Sequence, residues 1–207
     1  METKDLMVGK IMITVPGHYQ LLKAMPGDPE GAVPLAFSTD RAMCFVMMYP
    51  IGPEYAMPFD IPQDVIDGIH ESMYEDQGLI EVDSGNTKAG NKYIESIVKT
   101  VKKEGGAAYT FTFHGKFPDG IAAVQGFFEE AGITGERDTI VFEIARRENL
   151  VQIDDDGFTG WSKDPYDPGY LKGIPKNLSE DERFDEMFPT HPLSQLRAFK
   201  KTLIEEN

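Results

Sequence analysis

The segment from His70 to Tyr74 is the part of the chain that most resembles a known metal-binding motif. Its sequence, His-Glu-Ser-Met-Tyr, begins like the zinc-protease helix motif H-E-x-x-H. Two histidines one helical turn apart are needed to hold one zinc ion, and Tyr74 stands where the second histidine should be. The segment therefore predicts no zinc site, and no other group of residues has the spacing of a structural metal site.

The run Asp154-Asp155-Asp156-Gly157 invites comparison with the calcium loop of EF-hand proteins. If Gly157 took the sixth loop position, which needs glycine, Lys163 would take the twelfth, which needs a bidentate glutamate. The EF-hand is excluded for that reason. We interpret the run as a solvated, charged turn, and we expect neither a metal ion nor a cofactor.

His114 is the histidine best placed for chemistry, because it follows Thr110 and Thr112 on one side of an aromatic strand and precedes Asp119 across a turn. A catalytic histidine needs a nucleophile or a water molecule within reach, and usually a third group that orients the ring. The sequence shows no such partners. We therefore predict no catalytic residues and interpret His114 as a structural or exposed side chain.

Cys44 is the only cysteine, and it lies in the apolar run from Met43 to Met48. A single cysteine excludes an internal disulfide and a zinc site built on cysteines. Its apolar surroundings favour a buried, inert thiol over a nucleophile.

Trp161, Tyr166 and Tyr170 form the densest aromatic patch outside the predicted core, and acidic residues flank them. Large aromatic side chains with a polar rim are a common composition of binding anchors. The same side chains would also serve to fix this segment to its own domain. We therefore name Trp161, Tyr166 and Tyr170, together with His114, as a candidate binding patch, with self-packing as the alternative.

The 207 residues include 35 acidic and 20 basic side chains, so the formal net charge is −15. A polyanion would be repelled, which argues against DNA, RNA and anionic membranes as partners. A basic protein partner is electrostatically allowed. With 41% hydrophobic and 11% aromatic residues, the chain can form a real core, which excludes disorder throughout.

The first residues lead into only Leu6-Met7-Val8 before Gly9, which is too short for a secretion signal. No apolar stretch approaches the ~18 residues needed to span a membrane. We expect a cytoplasmic protein of bacterial type, with an oligomeric state that the sequence does not indicate.

Hydrophobic periodicity predicts the elements that must position these residues. One helix is expected over 61–77, with Asp60 as its cap and Gly78 as its stop, and another over 134–148 with Thr134 as its cap. Alternation predicts strands over 92–101 and 109–113. The stretch 43–49 is apolar on both faces and predicts a central strand covered on both sides.

Residues 121–131 fit either a helical face or a strand. The preceding Pro118-Asp119-Gly120 is a good three-residue hairpin turn, which favours the strand. In that hairpin Phe117 would face Ile121, and Phe111 would face Phe127 across the ladder.

The composition changes after residue 150, where prolines and aromatic residues become frequent. We predict one domain over 1–150 and a C-terminal helical strap over 151–207 that packs on this domain or on a partner. A capping box at Ser179–Glu182 is expected to open a short helix reaching Phe188, and a last helix is expected over 192–206.

The opening strand and turn, Ile11 to Tyr19 with Pro16-Gly17 inside it, resemble the PsbP-like superfamily. Gly90 before the strand at 92–101, then Tyr109-Thr110-Phe111, and then Gly126-Phe127-Phe128 before a helix are also similar to it. The resemblance covers about residues 10–147 and implies an α+β fold, an antiparallel β-sheet with helices packed on it in an α/β/α sandwich. It also implies a binding or assembly factor, and no functional residue carries over.

Our leading hypothesis is a non-enzymatic binding or accessory protein that docks a protein or a small ligand on the sheet or under the strap. One alternative is a small hydrolase with an unrecognised site at His114 and acidic neighbours. Another is an acidic, immunity-type protein that neutralises a basic protein. A pocket holding His114 and a carboxylate would favour the hydrolase, whereas an exposed apolar patch would favour the binding protein.

Overall fold

The computed structural model describes residues 2–154 and 157–207. In these ranges the chain forms an α+β fold built on one long antiparallel sheet, as the sequence predicts. The strands are β1 (Thr3–Val8), β2 (Ile11–Pro16), β3 (Gln20–Leu21), β4 (Val33–Ser38), β5 (Ala42–Ile51), β6 (Gln77–Asn86), β7 (Lys92–Val101), β8 (Ala107–Phe117), β9 (Gly120–Glu130), β10 (Gln152–Asp154) and β11 (Gly157–Thr159). The helices are α1 (Pro62–Ser72), α2 (Glu136–Arg147) and α3 (Pro192–Glu206), and short 3₁₀ turns lie at Pro53–Tyr55, Leu178–Glu180 and Glu182–Phe184.

The main sheet has seven strands in the order β3-β4-β5-β9-β8-β7-β6. Helix α3 and the hairpin of β1 and β2 pack on its inner face. On the outer face α1 covers β6 and β7, where Val65 and Ile66 pack against Leu79, Val82 and Ile94. The outer face over β4, β5, β9 and the first part of β8 carries several exposed apolar side chains.

The C-terminal strap supplies part of the main core. Leu196, Phe199 and Leu203 of α3 are fully buried in the same cluster as Val46 and Val124 of the sheet. The last helix therefore occupies a central position against the inner face. The division into a domain over 1–150 and a strap over 151–207 that together form a single structural unit stays a prediction.

The predicted turn at 154–157 falls partly on residues 155 and 156, which lie outside the described residues. The strands on either side, β10 and β11, pair as a short antiparallel hairpin.

Residues 121–131 are a strand, as predicted, but the register of the β8–β9 hairpin differs by one residue. Phe117 pairs with Gly120, so Phe111 lies opposite Gly126 and Phe127 lies opposite Thr110. The turn therefore contains two residues, Pro118 and Asp119, instead of three, and the length of the turn sets the register. Gly126 suits this register, because a Cβ there would lie 2.5 Å from the ring of Phe128 and 3.3 Å from Phe111. A one-residue shift moves a side chain to the other face of the sheet, so Phe127 points outward instead of into the core.

Helix α1 is shorter than predicted, because it ends at Ser72 and Gly78 belongs to β6. Gly78 serves a close contact instead of a helix stop, since a Cβ there would lie 1.8 Å from the carbonyl oxygen of Ile174 in the strap. The predicted cap, Asp60, makes no capping hydrogen bond; its carboxylate lies 2.6 Å from Nζ of Lys92.

The other predicted caps are also displaced. Gly135, in the left-handed conformation, precedes α2 where Thr134 was expected. The capping box in the strap is formed by Asn177 and Glu180, and two 3₁₀ turns replace the helix predicted from Ser179. Asn177 takes this role because its side chain accepts from the Ser179 N–H while Glu180 accepts from the Asn177 N–H.

Candidate functional site

The clearest candidate site is an exposed apolar surface on the outer side of the sheet, which we call the open face. It consists of the outward side chains of β4, β5, β9 and β8. Met43, Phe45 and Phe127 are 52%, 39% and 45% exposed. The prediction that 43–49 is covered on both sides is therefore wrong, because on the outer face α1 covers β6 and β7 and leaves β5 open.

The open face is built from cross-strand rows of side chains. One row runs Ala36, Phe45, Phe127, Thr110; the next runs Pro34, Met47, Gln125, Thr112; a third runs Tyr49, Ala123, His114. A fourth row, at the Met43 end, contains Glu129, whose carboxylate pairs with Lys102. These four rows are thus apolar or neutral apart from one paired carboxylate, which is the composition of an interface core. The row beyond them, Ile51, Ile121 and Lys116, ends in an exposed lysine.

Two grooves lie on this surface, at opposite ends of β5. The Met43 groove has a volume of about 550 Å³ and is lined by His18, Gln20, Ala36, Phe37, Ser38, Met43, Cys44, Phe45, Phe127 and Glu129. The His114 groove has a volume of about 520 Å³ and is lined by Pro29, Tyr49, Pro50, Ile51, Gly52, Tyr55, Thr112, His114, Ala123 and Gln125. Both volumes fall in the range of ligand-binding clefts.

A backbone hydrogen bond from the segment before α1 holds His114 in one tautomer. The Met57 N–H donates to Nδ1 of His114 at 2.9 Å, so the proton of the neutral ring is on Nε2. Burial lowers the pKa of His114 to about 4. The ring is therefore uncharged at neutral pH, and it lines its groove as a hydrogen-bond donor.

The residues of the predicted binding patch contact four different parts of the fold. Trp161 packs edge-to-face on Phe142 of α2, at 5.1 Å between ring centroids. Tyr170 stacks on His70 of α1 at 4.0 Å and donates its hydroxyl proton to the His70 carbonyl. His114 lies on the open face. These contacts do not join the four into one surface, and their role in binding stays a prediction.

Tyr166 is attached to the edge strand β6. Its hydroxyl accepts from the Val82 N–H at 2.5 Å and donates to the Val82 carbonyl at 2.9 Å. Nearby, the Ile174 N–H donates to the Gln77 carbonyl at 2.6 Å. The strap therefore occupies three backbone groups of β6, the Val82 N–H, the Val82 carbonyl and the Gln77 carbonyl, that an edge strand would otherwise offer to another strand.

A buried acid–base contact fixes the same loop to α1. Oδ2 of Asp164 lies 3.0 Å from Nε2 of His70, and its other oxygen accepts from the backbone N–H groups of Tyr166 and Asp167. His70, which suggested a zinc motif, thus orients the strap. Among the described residues no group of three or more His, Cys, Asp or Glu side chains is arranged to hold a metal ion.

Sequence analysis missed several buried charged groups under the strap. Nζ of Lys200 on α3 pairs with Glu81 and lies 3.3 Å from Glu95, which is fully buried. Burial raises the pKa of Glu95 to about 8; Lys200 opposes this shift and Glu81 adds to it. The alternation within β7 could have indicated a buried carboxyl group, because Glu95 occupies a core-facing position between Tyr93 and Ile97.

Arg137 of α2 is a second buried charge that the sequence did not indicate. It is 1% exposed and donates to the carbonyl of Ser179, to the carbonyl of Asp181 and to the carboxylate of Asp185. These bonds attach α2 to the 3₁₀ turns of the strap. The role is structural because the guanidinium is occupied within the chain.

Cys44 is buried, as predicted, and burial raises the pKa of its thiol to about 11. The thiol is therefore protonated at neutral pH, which suits a packing role and not a nucleophile. In the described part of the chain, no helix is long and apolar enough to cross a membrane.

No family model matches the sequence, and no curated protein matches it. Similar solved structures include PA94, a protein of unknown function from Pseudomonas aeruginosa, with 10% identity, TM-score 0.35, and 72% of this chain and 94% of that chain covered. The Ran-binding protein Mog1p of Saccharomyces cerevisiae has 12% identity, TM-score 0.40, and coverage of 69% and 84%. The cyanobacterial PsbP of Synechocystis has 11% identity, TM-score 0.35, and coverage of 71% and 84%.

Proposed function

We propose that this chain is a protein-binding accessory factor that docks a basic protein partner on its open face. The observation that carries the proposal is the row Phe45–Phe127 and its neighbour Met43, which expose apolar side chains in the middle of a folded sheet. Contiguous exposed apolar patches of this kind mark interaction sites, because they cost solubility and contribute little to folding.

Charge decides which partner this surface favours. The chain carries a net charge of −15, so a second copy of it would be repelled as it approached. Exposed acids flank the grooves in the sequence, with Asp40 beside the Met43 groove and Glu30 and Glu54 beside the His114 groove. A partner with an apolar centre and basic surroundings would be attracted over a long range and would bury the apolar centre on contact.

The geometry at His114 supports a binding protein over a hydrolase. Among the described residues that line its groove there is no aspartate or glutamate. Nδ1, the ring nitrogen that would accept a proton, already accepts from the Met57 N–H. A general base needs an available lone pair and usually an orienting carboxylate, so the groove is better suited to binding than to proton transfer.

Membership of the PsbP-like superfamily and a cytoplasmic location are part of this proposal. The first rests on the strand, Pro16-Gly17 and Tyr19 at the start of the domain. The second rests on a single cysteine that is buried as a thiol.

Site-specific photocrosslinking tests the proposal. A benzoylphenylalanine is placed at position 127 on the open face or, as a control, at Leu171, which is 89% exposed on the strap. We expect position 127 alone to give an adduct in cells, with a partner of net positive charge, and we expect Phe45→Glu in the same chain to remove it. Equal adducts from both positions, an adduct with a second copy of the chain, or no adduct at position 127 would refute the proposal.

A further inference from the structure

The His114 groove differs from the rest of the molecule in the chemistry it offers. In a chain with 55 charged side chains, the described residues that line this groove include no charged one, and Glu30, Glu54 and Lys116 lie only at its border. Aromatic rings and prolines form its walls, among them Tyr49, Tyr55 and Pro50. A charged group buried against this lining would lose its hydration without gaining a counter-charge from the lining residues, so an uncharged ligand fits the groove best.

The polar groups of the groove can all donate hydrogen bonds. His114 offers the N–H of Nε2, since Nδ1 is occupied by Met57. Thr112 and Gln125 come from the neighbouring row, directly opposite each other on β8 and β9. A ligand that presents a series of hydrogen-bond acceptors would be held by these groups.

The shape of the groove favours a chain segment over a small molecule. Small ligands are usually enclosed on most of their surface, whereas this groove lies on an open sheet face, beside a Tyr55 that is 73% exposed. A polyproline II helix has no internal hydrogen bonds, so its carbonyl groups stay available as acceptors. Grooves lined with aromatic rings bind such segments at low entropic cost.

We propose that the His114 groove binds an uncharged, proline-rich segment of the partner in the polyproline II conformation. This inference rests on the proposed function in taking the open face as the docking surface. Tyr49 and Tyr55 contact the proline rings, and the Nε2–H of His114 donates to a carbonyl group of the segment. The apolar centre of the open face does not recognise this proline-rich segment. The groove therefore adds a second requirement that a partner must meet.

The test is a titration of the full chain with an oligoproline peptide long enough to cross the groove, followed by NMR. We expect the His114 Nε2 resonance to shift in a saturable way, and a glycine–serine peptide of equal length to leave it unchanged. Tyr55→Ala is expected to weaken oligoproline binding about tenfold, as loss of an aromatic anchor does. The matched control is Tyr74→Ala, since Tyr74 is 71% exposed outside the groove.

No shift at His114, equal losses in the Tyr55 and Tyr74 variants, or saturable binding of a neutral oligosaccharide in place of oligoproline would overturn the inference. Failure here is distinguishable from failure of the proposed function. If oligoproline does not bind but the adduct at position 127 still forms, the open face remains the docking surface and only the assignment of the groove is wrong.

Discussion

Removing the Tyr166 hydroxyl should destabilise the edge of the sheet. In Tyr166→Phe, the Val82 N–H and carbonyl lose partners that lie 2.5 and 2.9 Å away. Each such bond contributes roughly 0.5–1.5 kcal/mol net. Because Tyr166 is 39% exposed and water can replace part of the loss, we expect a total of about 1–2 kcal/mol. For a chain of this size, that corresponds to a melting temperature lowered by roughly 2–8 °C.

Urea unfolding followed by the fluorescence of Trp161, the only tryptophan, measures this change. Tyr74→Phe is the matched control, because Tyr74 is exposed and no hydrogen bond of its hydroxyl is described. Light scattering should also show self-association of the Tyr166 variant, since an unguarded edge strand can pair with another chain. If both variants unfold at the same urea concentration as the wild type, the Tyr166 hydroxyl does not stabilise the edge of β6.

Three further outcomes are expected. Because the pKa of Glu95 is raised to about 8, the folded protein binds its proton more tightly than the unfolded chain, so the stability that Glu95 contributes falls as pH rises from about 4.3 through 8. Glu95→Gln should therefore have a flatter dependence of unfolding free energy on pH between about 5 and 9, and a slope equal to that of the wild type would contradict this. Truncation after Glu148 removes Phe199 and Leu203 from the core, so the shortened chain should be less stable or less soluble, and a melting temperature equal to that of the full chain would show that the strap is dispensable. EDTA should leave the melting temperature unchanged, and a fall of several degrees would reveal a structural metal.

The alternation of apolar and polar residues along β8 and β9 is the pattern from which most of the fold could be predicted. Tyr109, Phe111 and Phe113 face the core and Thr110 faces outward, as the pattern predicts. The pattern could not fix the register, because Pro118-Asp119-Gly120 fits a turn of either two or three residues and the structure has two.

The open face was not predicted, also because it depends on tertiary structure. A strand that is apolar on both faces is typical of a fully buried strand, and only the position of α1 shows that one face of β5 is open. His114 was selected from the sequence, but its role as a fixed donor depends on Met57, 57 residues earlier in the chain. Contacts over such separations leave no local signal in composition or periodicity.

The inner face of the sheet buries charged side chains, whereas the open face exposes apolar ones. This contrast is the strongest physical argument for a binding function. The inner face buries Lys99 against Glu180 and Lys200 against Glu81, which are costly groups that must be paired to be tolerated. The open face exposes Phe45 and Phe127 to water, although polar residues such as threonine would suit an exposed strand and lose little stability. Folding therefore does not require these aromatic rings, and burial against a partner is the circumstance in which they become favourable.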